Sequence, residues 1–242
     1  MASNTETGHA KNAANFFEQL SFITGYGATY NPTKASITLP QMNVKHTAVL
    51  NAIAAVTAAH VPYISAVNAR TLAFQNLGTL SSRIVFALSA TDATKELVKD
   101  AKTYQRKIVG RRKKAVVIMG PDDPAPNNIS VSQRSYTQQL ENFTNLVAIA
   151  ASEPSYAPNE VDLQIDTLND WIEELQSLNN NVANTFAGIT NARLLRNQEM
   201  YNKETGLLAV AQESKNYVRS VYGPTAPQTK QLTRIRYTYI KS

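Results

Sequence analysis

Phe16, Phe17, Leu20 and Ile23 recur on one side of a helical period, which predicts a short amphipathic helix over residues 11–25. Gly25, Gly27 and Pro32 then interrupt the pattern, and residues 25–36 read as a loop. Thr38-Leu-Pro-Gln41 has the form of a capping box with proline in the first turn, so a long helix is expected from there to about residue 77, with Pro62 as a place for a kink. A third helix over about 80–109 would end at Gly110, in the position of a left-handed cap. The same plan returns over about 132–151, 163–201 and 205–222, capped by Gly223. In the second long helix Leu168, Ile172, Leu175, Val182, Phe186 and Ile189 alternate spacings of four and three once Asn179 is counted in the seam. Asn179 either fixes the register there or is a polar residue tolerated at the surface.

The recurrence reaches individual residues. Tyr30-Asn-Pro32 returns as Tyr156-Ala-Pro158, Asn68-Ala-Arg70 as Asn191-Ala-Arg193, and Lys102-x-Tyr104-x-Arg106 as Lys215-x-Tyr217-x-Arg219. Phe17, Leu20 and Ile23 likewise return as Phe143, Leu146 and Ile149. The expected fold is therefore all-α, an elongated helical bundle of two homologous three-helix units. Helices of about 37 residues would each be about 55 Å long. Ala115-Val-Val-Ile-Met119 and residues 232–240 have strand-like composition, which adds a minor β element to the expectation. The organisation reads as an N-terminal arm 1–10, a first repeat 11–114, a linker 115–131, a second repeat 132–223 and a basic β-prone tail 224–242.

Ser130-Val-Ser-Gln133, Glu141-Asn142-Phe143, Tyr156-x-Pro158-Asn-Glu160, Asn191-Ala-Arg193 and Tyr217-x-Arg219-Ser-Val-x-Gly223 together resemble a family of uncharacterised bacterial α-helical proteins. The resemblance covers most of the second half and, more loosely, the first. It implies a helical fold and transfers no catalytic residue.

Composition narrows the chemistry. There is no cysteine, so disulfides, thiol catalysis and thiolate metal sites are excluded. The nine glycines form no phosphate-cradling series, and the three histidines show neither Glu-x-x-His nor His-Glu-x-x-His spacing. No catalytic residue, metal ligand or cofactor is expected, and the chain reads as a non-enzyme. Residues 1–10 lack a basic n-region followed by an apolar run, so no secretion signal is evident and a cytoplasmic location is expected. Residues 47–69 carry no Lys, Arg, Asp or Glu and are long enough to span a bilayer. Asn51, Thr57, His60, Pro62 and Asn68 interrupt the stretch, and the favoured reading is a buried helix with His60 packed inside it, a membrane-inserting segment being the alternative.

Charge then changes the picture. The net charge of +6 conceals a bipolar chain. Seven bases and no acid lie between Lys102 and Lys114, and six bases and no acid follow from Lys215 onwards. Residues 135–192 hold eight acids and no base. Arg111, Arg112, Lys113 and Lys114 lie beyond the expected helix end, where the macrodipole no longer accounts for them. Together with Arg234, Arg236, Tyr237 and Tyr239 they are candidates for contact with a second copy or an acidic partner. Glu160, Asp162, Asp166, Asp170, Glu173 and Glu174 form the complementary acidic face. Their succession along one helix fits a solvated or partner-facing stripe better than a metal site or an acid–base pair. Arg70 and Arg193, at equivalent places in the repeats, are expected to be structural at the repeat interface. These features point to a structural protein that assembles with itself head-to-tail into a filament or array. A nucleic-acid binder using its basic ends is the alternative, and a helical membrane-inserting protein comes third.

Overall fold

A computed structural model describes residues 7–110 and 134–240. The helices are α1 (His9–Gly25), α2 (Leu39–Gln75), α3 (Leu77–Ser89), α4 (Lys95–Val109), α5 (Tyr136–Ala151), α6 (Ile165–Tyr201), α7 (Leu207–Tyr222) and α8 (Pro227–Arg234). Among the described residues there is no strand. Local chemistry sets several of these boundaries. The hydroxyls of Thr94 and Ser135, both in extended backbone, accept from the amides of Leu97 and Gln138 and so start α4 and α5. Gly110 closes α4 in the left-handed region, at φ 73°, as expected. Thr38, by contrast, does not make the capping-box bond, in which its hydroxyl would accept from the Gln41 amide: the hydroxyl donates back to the Ala35 carbonyl, across the 3-10 turn Ala35–Ile37 that precedes α2.

The loops before the two long helices use one device. The Tyr30 hydroxyl donates to the Ile37 carbonyl at 2.6 Å, and the Tyr156 hydroxyl to the Leu163 carbonyl at 3.0 Å. Each tyrosine is buried, so an unpaired hydroxyl would be costly and the bond holds its loop closed. A helix of 37 residues follows each loop.

The described chain divides into two compact units, and these are not the two contiguous three-helix repeats that the sequence led us to expect. One unit combines the described residues up to Tyr63 with those from Thr185 onwards; the other is Ile64–Asn184. Each long helix contributes one portion to each unit. The expected third helix over 80–109 is also two helices, because residues 90–94 turn and Thr94 caps a new start.

In the first unit α1 lays Phe16, Leu20 and Ile23 against Met42, Met200, Leu207, Val218 and Leu232. Phe17, expected on the same apolar side as these, is 57% exposed and stacks on His46 instead. Gly206 precedes α7 under a tight constraint. A β-carbon there would lie 2.5 Å from the Asn202 carbonyl oxygen, so only glycine fits without a backbone shift. In the second unit Phe143 and Leu146 of α5 pack with Ile84 and Leu88 of α3 and with Leu168 and Leu175 of α6. Leu168, Leu175, Val182 and Ile189 are buried as the spacing predicted, but Phe186 is 52% exposed.

Residues 235–240 correct the β expectation. They form neither helix nor strand, and Ile235, at the end of α8, is in extended backbone. Their backbone is held by side-chain amides of α1, which supply the donors and acceptors a neighbouring strand would otherwise provide. The preceding residues 227–234 are helical, with Pro227 in the first turn, where its missing amide proton costs nothing. The other proposed β segment, 115–119, lies outside the described residues.

Candidate interaction surfaces

The charge-free stretch 47–69 of α2 is not the buried helix expected of it. Only Val49 and Ala66 are buried there. In the first unit Leu50, Ala54, Thr57 and Val61 are all exposed, and their spacings of four and three place them along one side of the helix; in the second unit Ile64, Asn68 and Leu72 are exposed as well. Val61 is 62% exposed and Leu72 71%. His60, expected to be packed, is exposed as well. The packed side is the other one: Tyr63 meets Phe186 with ring centroids 5.8 Å apart, and Lys45 pairs with Glu199 at 2.7 Å. Within the first unit α2 is thus covered on one side only, so its second apolar side remains bare. The stretch Leu39–Ser89 holds a window long and apolar enough to cross a membrane, of which 6% is buried.

Glu160, Asp162, Asp166, Asp170, Glu173 and Glu174 are all exposed in the second unit. Asp162 accepts two hydrogen bonds from the Arg83 guanidinium, which keeps its carboxyl below the usual range. The stripe Asp166, Asp170, Glu173 continues along α6 as Ser177, Asn180 and Asn184. Beside that polar continuation lies a groove of about 740 Å³ between α5 and α6. Leu140 and Ile172 supply its apolar lining, and Thr144, Glu173, Gln176, Ser177, Asn180 and Asn184 are among its polar residues. No group of three His, Asp or Glu suited to a metal ion occurs among the described residues.

The tail residues proposed as contacts are divided by the fold. Arg234 and Arg236 are exposed, whereas Tyr237 is turned inward. Its hydroxyl donates to Gln19 Oε1 at 2.9 Å, and burial pushes its acidity far below that of a free tyrosine. Tyr239 is 63% exposed and packs its ring 4.6 Å from that of Tyr201. Three amides of α1, at i, i+3 and i+7, make the clasp. Asn12 bonds both the carbonyl and the amide of Thr238, at 2.7 and 3.0 Å. Asn15 donates to the Arg236 carbonyl at 2.7 Å. Gln19, fully buried, also donates to the Ala211 carbonyl at 2.9 Å and to Ser214 Oγ at 2.6 Å. Lys215 completes the grip by donating to the Ile235 carbonyl at 2.6 Å, and its burial lowers its pKa to about 8. Sequence reasoning missed this clasp. Its one available signal was polar Asn12, Asn15 and Gln19 recurring beside the apolar face of an amphipathic helix.

Arg70 stacks its guanidinium over the Tyr136 ring, 4.1 Å from the centroid, inside the second unit. Arg193 is an exposed residue of the first unit, and neither arginine forms an ion pair with a described residue. Arg111, Arg112, Lys113 and Lys114 lie outside the described residues. Compared with known protein families, curated proteins and solved structures, the chain finds no match. The motif resemblance noted above therefore brings no family assignment to these surfaces.

Proposed function

We propose that this chain is a non-enzymatic structural subunit that assembles with further copies of itself, using the bare side of α2. The observation that carries the reading is the exposure, within the first unit, of a charge-free helical side lined by Leu50, Ala54, Thr57 and Val61. A helix that is apolar on two sides is ordinarily covered on both, and exposed apolar patches of this kind mark interaction sites. The coiled-coil-like spacing favours another helix as the cover, and the small residues Ala54 and Ala58 allow close approach. Duplication of an ancestral helical unit is a proposal of the same standing, supported by the repeated Tyr–carbonyl stitches and the equal lengths of α2 and α6.

This reading moves the main contact away from the tail, because Ile235 and Tyr237 are engaged within the first unit. Charge retains a steering role. The acidic stripe on α6 attracts the basic residues of another copy, and heterologous contacts of that kind grow into rings or filaments. The second reading, membrane insertion, is favoured by the same α2 stretch being long and apolar enough to span a bilayer.

Sedimentation velocity over a range of concentrations, in low and high salt, tests the proposal. An apolar contact predicts association that persists at about 1 M salt, where charge pairing is screened beyond about 3 Å. Leu50→Glu with Val61→Glu should give monomers. A monodisperse intact chain at high concentration overturns the assembly reading. Leakage of dye from anionic vesicles by that monomer, abolished by the same substitutions, would establish the membrane reading in its place.

A further inference from the structure

The clasp on α1 shows how this chain grips a segment that is neither helix nor strand, and α6 carries a similar row of side chains beside an open groove. Asn12, Asn15 and Gln19 stand at i, i+3 and i+7, and between them they bond the backbone of residues 236 and 238 and the Tyr237 hydroxyl. A carboxamide carries both a donor and an acceptor, so a row of them can satisfy a peptide backbone whatever its sequence. Ser177, Asn180 and Asn184 repeat the i, i+3, i+7 spacing on α6, with Gln176 beside them. All four are exposed and line the groove between α5 and α6. Gln176 donates to Asn180 Oδ1 at 3.1 Å, which orders the row along the groove wall.

We infer that this groove is a docking site for an extended, basic peptide segment of a partner. The amide row would bond its backbone, and Leu140 and Ile172 would receive one apolar side chain. Charge chooses the sign of the partner. Glu173 lies in the groove, and Asp170 and Asp166 continue its line along α6. None of these three carboxylates forms an ion pair with a described lysine or arginine. A basic segment would therefore be drawn to the site, while nucleic-acid phosphate would be repelled. The inference is independent of the α2 assembly surface, whose residues do not line this groove.

Fluorescence anisotropy of the full chain with a labelled peptide alternating lysine and valine tests the site. Saturable binding is expected, with glutamate in place of lysine abolishing it. Asn180→Ala with Asn184→Ala, both at exposed positions that the fold does not depend on, should weaken binding about tenfold, as loss of one or two backbone hydrogen bonds implies. Glu173→Lys should weaken it by at least as much and flatten its salt dependence. Absence of saturable binding overturns the inference, as does binding that all three substitutions leave unchanged. Preferential binding of a neutral oligosaccharide over the basic peptide would also overturn it, because the amides would then be serving hydroxyl groups.

Discussion

Gln19→Leu is the most informative single substitution in the first unit. The side chain is fully buried and its two ends make three hydrogen bonds: to the Ala211 carbonyl, to Ser214 Oγ and from the Tyr237 hydroxyl. Leucine keeps the volume and gains apolar transfer energy, so the cost comes from the stranded partners. Ser214 retains a bond to the Ala211 carbonyl at 3.0 Å, which limits the damage there. Tyr237 has no such substitute, and a buried unpaired hydroxyl costs about 1–3 kcal/mol. Adding about 1 kcal/mol for the Ser214 contact and subtracting a similar apolar gain, the net destabilisation is about 2 kcal/mol. Urea unfolding followed by far-UV circular dichroism measures it. Tyr237→Phe in the same background supplies the control: with the hydroxyl gone, most of the Gln19→Leu penalty should disappear as a coupling energy. A shift below about 0.5 kcal/mol, or strictly additive effects of the two substitutions, would refute the network as a source of stability.

Lys215 makes stability depend on pH. Its folded pKa of about 8 lies below the unfolded value of 10.5, so between these the unfolded chain binds more protons and stability rises with pH. The side chain is partly open to water, which limits the gain to about 1 kcal/mol; denaturation midpoints at pH 7.5 and 9.5 should show it, and Lys215→Met should remove it. Above pH 10 the sign reverses. Burial raises the hydroxyl pKa of Tyr30, Tyr156 (to about 12) and Tyr237, so the unfolded chain loses those protons first and stability falls. Gly206→Ala should cost at least about 2 kcal/mol in thermal melts, because its β-carbon collides with the Asn202 backbone; an unchanged melting temperature would contradict that geometry.

The helices were legible because their signals are local. Apolar period, proline in a first turn and glycine past a last turn act within a few residues, and Leu168, Leu175 and Ile189 are buried where that period puts them. The tail was half legible. Alternation would put Ile235, Tyr237 and Tyr239 on one inward face; the first two are turned inward, but Tyr239 is exposed, and the partner proved to be amides on α1 rather than a strand. The exposure of α2 was illegible for a related reason. An apolar run states that cover is needed; it does not state whether the same molecule provides it. The α6 groove escaped notice because asparagine and glutamine rows leave no signature in hydrophobicity or charge. The acidic stripe does leave one, in the absence of any base over residues 135–192.

The division into compact units bears on how the protein is made. The second unit is one continuous stretch, Ile64–Asn184, and its core residues emerge from a ribosome in succession. The first unit must wait. Phe16, Ile23 and Met42 are synthesised early, yet their packing partners Leu207, Val218 and Leu232 come last, and Gln19 bonds a carbonyl 192 positions further on. Throughout synthesis an apolar helix therefore stands without its complement while the later-encoded unit completes its core first. Closure over so long a separation is slow on topological grounds. Translation thus leaves the apolar face of α1 uncovered at least until residues 207–232 have been made, an interval in which exposed apolar surface favours misassembly.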